Sequence, residues 1–238
     1  MPLTIACLGS TPSDLRAFLR DYSVSELNSG GTDLNGLLAE LKRLCDLEFS
    51  AYARSNGLTF APESGAPPVA FQAHLQAGDV IIIVSRFSLG ALVSPSDFVV
   101  VQAFRKEGGR YVFAAETGND LLGISAYRKI TLLPAGSAAA NAWLFIQGEL
   151  SSFREDRERA RIYSFDGYRF TTEWKPGDRL DMEITISGQN IDAQYMSEIP
   201  RFGGPIMNCM EEKLQLGTAG LIHLGIINHG ERECLTAQ

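Results

Sequence analysis

Apolar positions near the start of the chain recur at the spacing of an α-helix. Thr11, Pro12 and Asp14 form a typical helix N-terminus, with a capping hydroxyl, a proline at the first position and an acid at the third. The apolar stripe that follows consists of Leu15, Phe18, Leu19 and Tyr22. Ser29-Gly30-Gly31 ends this helix, and a second apolar stripe from Thr32 to Tyr52 predicts another. We therefore expect a helical hairpin over residues 1–60.

After a Pro- and Gly-rich linker the pattern changes to that of β-strands. Val80–Val84 is a continuous β-branched run, which is typical of a strand buried on both faces. Shorter apolar or alternating runs predict further strands over 98–104, 110–116, 129–133, 143–147, 159–165, 168–174, 182–187, 213–216 and 221–228. Asp166-Gly167 predicts a two-residue hairpin turn of type I′.

Two of the predicted hairpins resemble each other in sequence. The matched positions are Phe104 with Phe165, Tyr111 with Tyr168, Phe113 with Phe170 and Glu116 with Glu173. Extending the match to the flanking strands gives two four-strand meanders, over 80–134 and 143–190, as an internal repeat. The alternative is that any amphipathic hairpin places aromatic residues alternately and so produces a similar match.

These patterns predict a mainly β (α+β) protein, in which an N-terminal helical hairpin precedes two four-stranded antiparallel meanders with blade-like or sandwich packing. Residues 1–60 are expected to pack on a β-domain over 69–238. The strand-turn-strand units, with an Asp-Gly turn and a strand-ending Trp174, are similar over 80–190 to blades of β-propeller-like proteins. Two blades cannot close a propeller, so the chain needs a sandwich, a strongly coiled pair of sheets or partner copies to protect its edges, and a homo-oligomer through exposed strand edges is one of these alternatives.

Charge and hydropathy narrow the classes of partner. The formal net charge is -7, which argues against general nucleic-acid binding because that requires clustered Lys and Arg. The sequence has no apolar stretch long enough for a transmembrane segment. Ile5-Ala6-Cys7 loosely resembles the end of a lipoprotein signal, which favours an extracytoplasmic bacterial protein whose signal is absent from this chain. The cytoplasm is the alternative.

The carboxylates and aromatic residues of the hairpins are candidates for a site. Among common catalytic signatures, the chain has no Gly-x-Ser-x-Gly, Gly-x-x-x-x-Gly-Lys, Gly-x-Gly-x-x-Gly or His-Glu-x-x-His motif. Glu116 and Glu173 are candidate catalytic acids of a carboxylate-dependent, glycosidase-like hydrolase. Trp174 and Tyr168 are candidate ligand-stacking residues, and Trp174 is expected to be partly exposed because it ends its strand.

Cysteine and histidine residues near the C-terminus suggest a metal site as an alternative. Zinc prefers four nitrogen or sulfur ligands, and the available set is Cys209, His223, His229 and Cys234. A domain of this size does not need disulfides to fold, so buried free thiols are the first expectation for the four cysteines, Cys7, Cys45, Cys209 and Cys234. At least one disulfide is the alternative, with three possible pairings between which the sequence does not choose. Our first expectation is a non-catalytic binding or structural β-repeat module of unknown ligand, without a cofactor. The alternatives are the hydrolase and a zinc-stabilised domain.

Overall fold

In the computed structural model the chain forms two compact units, Met1–Leu122 and Gly123–Gln238. The residues that the structure describes are 12–29, 69–87, 98–118, 121, 124–133, 142–150, 157–200, 206–217 and 220–231. Within these ranges there are one α-helix and twelve β-strands, which form antiparallel sheets of four and eight strands. The prediction of a mainly β protein with an N-terminal helix is confirmed.

The first unit is a four-stranded sheet with a helix packed against it. Its elements are α1 Pro12–Asn28, β1 Val69–Ala77, β2 Val80–Phe87, β3 Phe98–Glu107 and β4 Arg110–Glu116. The strand order is β1-β2-β3-β4, so that each strand pairs with its neighbour in sequence. Gly108 and Gly109 form the β3–β4 turn with φ angles of 56° and 85°, a backbone conformation that glycine adopts without steric cost.

Helix α1 begins and ends where its sequence predicts. Pro12 is its first residue and Asn28 its last, which confirms the predicted helix start and the stop before the glycine pair. Val24 and Leu27 of α1 pack against a buried cluster of Ile81, Ile83 and Phe104 in the sheet. The predicted second helix, from Thr32 to Tyr52, lies outside the described residues, and so does the helical hairpin that it would complete.

The second unit is an eight-stranded sheet. Its strands are β5 Ile124–Leu133, β6 Ala142–Leu150, β7 Arg157–Phe165, β8 Phe170–Trp174, β9 Asp178–Ser187, β10 Asn190–Ile199, β11 Ile206–Leu216 and β12 Leu221–Asn228. The order is β12-β11-β10-β9-β7-β6-β5, with β8 paired to β7 beside this path. On the side away from β6, β7 pairs with two strands: its first residues pair with β9 and its last residues pair with β8.

One face of this sheet carries a continuous apolar core. Its buried members include Trp143, Phe145, Ile162, Trp174, Met182, Ile184, Ile191, Tyr195, Leu214 and Leu216. In β10 the buried Ile191, Ala193 and Tyr195 alternate with partly exposed residues, the pattern of a strand with one buried face. Sequence reasoning missed β10 because half of its ten residues are polar, and its apolar residues form no continuous run.

The grouping of the strands differs from the two predicted four-stranded meanders. The predicted strand 129–133 was assigned to the first meander, but it is part of β5, which pairs with β6 in the second unit. β5 accordingly lies in the second compact unit, Gly123–Gln238. Ile130 and Leu132 of β5 oppose Ile146 and Leu144 of β6, and these apolar cross-strand pairs stabilise the pairing of β5 with β6.

Each of the two matched hairpins contains an equivalent cross-strand pair of phenylalanines. Phe104 opposes Phe113 with ring centroids 6.0 Å apart, and Phe165 opposes Phe170 with centroids 4.9 Å apart. In both copies the preceding strand also pairs antiparallel with the first strand of the hairpin, β2 with β3 and β6 with β7. The fourth strands differ, since β5 pairs with β6 and β9 pairs with β7.

The predicted two-residue turn at Asp166-Gly167 is wrong. Four residues, 166–169, separate the paired Phe165 and Phe170. The carboxylate Oδ1 of Asp166 accepts hydrogen bonds from the backbone N–H groups of Tyr168 and Arg169, each at 2.9 Å, and so stabilises the wider turn. These two bonds are the main reason that the pKa of Asp166 lies below its ordinary value.

Candidate binding edge along the last strand

β12 (Leu221–Asn228) lies at the end of the eight-stranded sheet and is called the β12 edge below. It pairs with β11 on one side, and no described strand pairs with its other side. Two backbone hydrogen bonds continue the ladder beyond it, from His229 N to Cys209 O at 2.9 Å and from Cys209 N to Gly230 O at 3.0 Å. The strand is therefore paired along its inner side, and on its outer side it has no strand partner among the residues that the structure describes.

The β12 edge carries most of the exposed apolar surface of the described residues. The large hydrophobic side chains that the structure exposes are Tyr168 at 70 %, Ile226 at 58 %, Leu224 at 57 %, Ile222 at 47 % and Ile227 at 46 %. Four of these five belong to the β12 edge. A contiguous exposed apolar patch on a folded protein is typical of an interaction site, whereas single exposed apolar residues are ordinary.

A bulge in β12 changes which side chains share a face. Leu214 pairs with His223 but Lys213 pairs with Gly225, so Leu224 is an extra residue. After such a bulge the alternation of faces shifts by one residue. Ile222 and Ile227 consequently lie on the same face of the sheet, although an unbulged strand would place them on opposite faces.

Two of the other described edge strands, β5 and β4, carry features that discourage pairing, whereas β1 (Val69–Ala77), like β12, has no Asp, Glu, Lys or Arg. β5, at the far end of the eight-stranded sheet, exposes the charged Arg128 and Lys129. β4, at an end of the four-stranded sheet, is contacted by α1 through hydrogen bonds between Asn28 and Tyr111. Charged residues and covering helices are the usual protections of a sheet edge. From Leu221 to Asn228 the sequence has no Asp, Glu, Lys or Arg.

A buried carboxylate anchors the β12 edge from the neighbouring strand. Glu212 of β11 is only 4 % exposed, and its Oε1 lies 3.2 Å from Nδ1 of His223. The hydroxyl of Tyr195 donates to its Oε2 at 3.3 Å. Burial and, second, the charge of Glu212 raise the pKa of Tyr195 above its ordinary value. Tyr195 therefore stays protonated and donates to Glu212, which leaves the other carboxylate oxygen to orient His223.

A second carboxylate contacts the residue that follows the strand. Glu211 Oε2 lies 2.8 Å from Nε2 of His229, and Glu211 Oε1 lies 3.0 Å from Nζ of Lys213. The hydrogen bond with His229 and then that with Lys213 hold the pKa of Glu211 below its ordinary value. The charged groups next to the edge are thus paired among themselves on β11.

The two predicted catalytic acids belong to different units. Glu116 accepts a hydrogen bond from Gln102 at 3.1 Å and lies 3.6 Å from Arg16. Glu173 accepts a hydrogen bond from the hydroxyl of Ser164 at 2.5 Å. Each acid is held by its own neighbours, within the unit to which it belongs.

The two predicted stacking residues have very different environments. Trp174 is 3 % exposed and lies in the core of the second unit, so the expectation that it is partly exposed is wrong. It pairs with Ile162 of β7, which draws the strand end into the sheet. Tyr168 lies in the β7–β8 turn, where it is the most exposed of the large apolar residues.

The structure does not bring the predicted zinc ligands together. Cys209 is disulfide-bonded and so does not offer a thiolate, and Cys234 lies outside the described residues. His223 and His229 contact different glutamates and are six residues apart along an extended chain, about 20 Å. Zinc ligands lie about 2 Å from the metal, so these two imidazoles do not share one ion. In the described part of the chain no group of three or more His, Cys, Asp or Glu residues is arranged to hold a metal.

Sequence reasoning predicted the strand 221–228 but not its exposure. An apolar run such as Leu221–Asn228 normally indicates a strand buried on both faces. Its position at an edge follows only from the strand order, in which β12 pairs with β11 alone among the described strands. Comparison with known proteins adds no assignment, since no family model matches the chain and no curated protein is significantly similar to it.

No helix among the described residues combines the length and hydropathy needed to span a bilayer.

Proposed function

We propose that this protein is a non-catalytic binding module that recognises an extended protein segment by strand addition at the β12 edge. The observation that carries the proposal is the exposure of Ile222, Leu224, Ile226 and Ile227 on one uncharged edge strand. In strand addition the backbone of the edge provides affinity, and side chains on alternate positions provide specificity.

The acidic side chains described around this strand are already hydrogen-bonded, which supports binding through apolar contacts over catalysis. Glu212, the buried acid nearest the edge, is engaged by Tyr195 and His223. Glu211, the next acid, is engaged by His229 and Lys213. Their hydrogen bonds fix β11 and β12 to each other, which makes the edge a rigid template. A preformed strand costs little conformational entropy on binding, so that more of the interaction energy appears as affinity.

The partner segment is expected to be extended and apolar at alternate positions. Apolar side chains of the partner would cover Ile222 and Ile227 on one face, and Ile226 on the other. A segment rich in Asp or Glu would bury charge against these side chains without a counter-ion, which is costly.

The test is selection of peptides from a library of random ten-residue sequences displayed on phage. Binding is selected with the wild-type chain, and counter-selection uses the Ile226→Lys variant, which places a charge on the edge. We expect enriched peptides with alternating apolar residues that bind wild type and bind the variant at least about 30-fold more weakly.

A matched control is Tyr168→Lys, which introduces the same charge at an exposed apolar residue of the β7–β8 turn. This variant should bind the peptides as wild type does. Peptides that bind all three proteins equally would place recognition elsewhere and refute the proposal, and so would a library that yields no enriched sequence with the protein at a concentration at which sedimentation shows it to be monomeric.

A further inference from the structure

We infer that the segment that pairs with the β12 edge is the same strand of a second copy of this chain, in an antiparallel arrangement with two-fold symmetry. The inference rests on the proposed function, since it names the partner of that edge. A two-fold arrangement is isologous, because the same patch is used by both subunits and the assembly closes at a dimer.

The charge pattern favours a second copy as the partner. The chain has a formal net charge of -7, yet the β12 edge has no acidic or basic residue over Leu221–Asn228. Of the ionisable groups on the neighbouring strand, Glu212 is buried against His223 and Tyr195, and Glu211 and Lys213 are paired with each other. Two copies of this edge therefore meet without like charges opposite each other, a condition that strand pairing requires. An edge that selects a charged partner would instead carry the complementary charge.

The bulge gives the strand a self-complementary register. In a two-fold antiparallel pair, Ile222 of one copy opposes Ile227 of the other when the axis passes between Leu224 and Gly225. Opposed residues must lie on the same face of a sheet. An unbulged strand would place Ile222 and Ile227 on opposite faces, but the extra residue at Leu224 brings them to the same face. His223 and Ile226 become opposed in the same way.

The centre of this register combines a large residue with a small one. Leu224, which is 57 % exposed, opposes Gly225 of the second copy. A Cβ atom built on Gly225 meets no atom of the chain within 4 Å, so the space above this glycine is open. The Leu224 side chain of each copy enters the space above Gly225 of the other. This fit occurs twice, because the two-fold axis repeats it.

The first experiment measures the mass of the full chain by sedimentation equilibrium between about 1 and 100 μM, a range that covers ordinary dimer affinities. Wild type is expected at twice the chain mass of 26.0 kDa at the upper concentrations. Leu224→Lys places a charge at the centre of the contact, and we expect its dimer dissociation constant to rise at least about 100-fold. Tyr168→Lys should remain dimeric as wild type.

The second experiment tests the register. In the double variant Ile222→Cys/Ile227→Cys, mild oxidation should link position 222 of one copy to position 227 of the other, because opposed residues have Cα separations that a disulfide spans. The two positions within one chain are about 16 Å apart and cannot be linked. A monomeric wild type, a Leu224→Lys variant that stays dimeric, or cross-links between other positions would each overturn the inference.

Failure of this inference is distinguishable from failure of the proposed function. If wild type is monomeric but binds selected peptides through the β12 edge, the binding function stands and the partner is a different protein. If wild type dimerises in a way that Leu224→Lys does not weaken, and the peptides do not depend on Ile226, both proposals fail.

Discussion

The side-chain amide of Asn28 pairs with the backbone of Tyr111 as a neighbouring β-strand would. Nδ2 of Asn28 donates to the carbonyl of Tyr111 at 2.7 Å, and Oδ1 accepts from the N–H of Tyr111 at 2.8 Å. One side chain at the end of α1 thus satisfies both backbone groups of a residue on the end strand β4. It also fixes the end of the helix to the sheet, since Nδ2 donates as well to the carbonyl of Val24 at 2.8 Å.

Replacing Asn28 with Ala should destabilise the first unit. Both backbone groups of Tyr111 lose their partner, and we expect the free energy of unfolding to fall by roughly 1–2 kcal/mol. Chemical denaturation monitored by circular dichroism measures this loss. Ser25→Ala is the control, because Ser25 is exposed on the same helix and should change the stability little. Equal stability of the two variants would show that the amide contributes nothing to docking.

The ion pair between Arg159 and Asp178 should make the second unit sensitive to acid. Arg159 donates to both carboxylate oxygens of Asp178, at 2.7 and 2.8 Å, where β7 meets β9. This hydrogen bonding is the main reason that the pKa of Asp178 lies below 3.8. The stabilisation is complete above the unfolded-state pKa near 3.8 and is lost as the pH falls through the lower native pKa.

The Asp178→Asn variant should therefore be less stable than wild type at pH 7, and the difference should shrink as the pH approaches 2. Urea unfolding at several values between pH 7 and 2 measures both quantities. Glu183→Gln, an exposed carboxylate on the same strand, is the matched control and should not reproduce this convergence. A constant difference between Asp178→Asn and wild type across the range would contradict the assignment.

Glu158 should have the opposite pH dependence. It is buried, and burial is the main cause that raises its pKa above 4.5, although Gln147 and Arg128 contact it. A native pKa that is raised gives stabilisation that is complete below the unfolded-state value and lost as the pH rises through the native value. Glu158→Gln removes this loss, so the variant should gain stability relative to wild type between pH 4 and pH 7.

Glu149→Gln is the matched control for this comparison. Glu149 is 46 % exposed and contacts the same Arg128 at 3.1 Å, so its replacement changes the partner of the arginine without changing a buried carboxylate. Thermal unfolding at pH 4 and pH 7 measures both variants. A Glu158→Gln variant that loses stability relative to wild type between pH 4 and pH 7 would show that the ion pair outweighs the cost of burial, and an equal difference at both pH values would contradict the raised pKa.

The sequence predicted those elements whose ends are determined by neighbouring residues in the chain. The start of α1 at Pro12 depends on its own cap and proline, and the β3–β4 turn depends on Gly108 and Gly109. The burial of Trp174 did not follow from its position before Lys175 and Pro176, because a neighbouring strand, through Ile162, draws it into the core. Residues that interact across a sheet are distant in sequence, so their environment depends on strand order.

The position of β12 at the edge of its sheet was even less predictable from local sequence than the burial of Trp174. Leu221–Asn228 was predicted as a strand from its apolar residues, and that is what the structure contains. The same apolar content would fit a strand in the middle of a sheet. Only the strand order distinguishes an edge from a centre, and β5 shows how easily a strand is assigned to the wrong sheet.

The disulfide of Cys209 should link it to Cys234. Cys209 is 4 % exposed and disulfide-bonded, and its backbone N–H bonds to the carbonyl of Gly230, only four residues before Cys234. Four residues span up to about 13 Å, which is enough for the chain to return to Cys209. Such a bond would close a loop that contains the whole β12 edge.

Peptide mapping without reduction should therefore find the peptide of Cys209 joined to that of Cys234, and thiol titration of the denatured, unreduced chain should find no more than two free thiols per chain. Cys234→Ser should lower the free energy of unfolding by roughly 2–4 kcal/mol, since the open chain gains conformational entropy when it unfolds. Cys45→Ser serves as the comparison and should leave the Cys209 linkage in place. A linkage of Cys209 to Cys7 or Cys45 would contradict the pairing, and four free thiols in protein purified without reductant would contradict the disulfide itself.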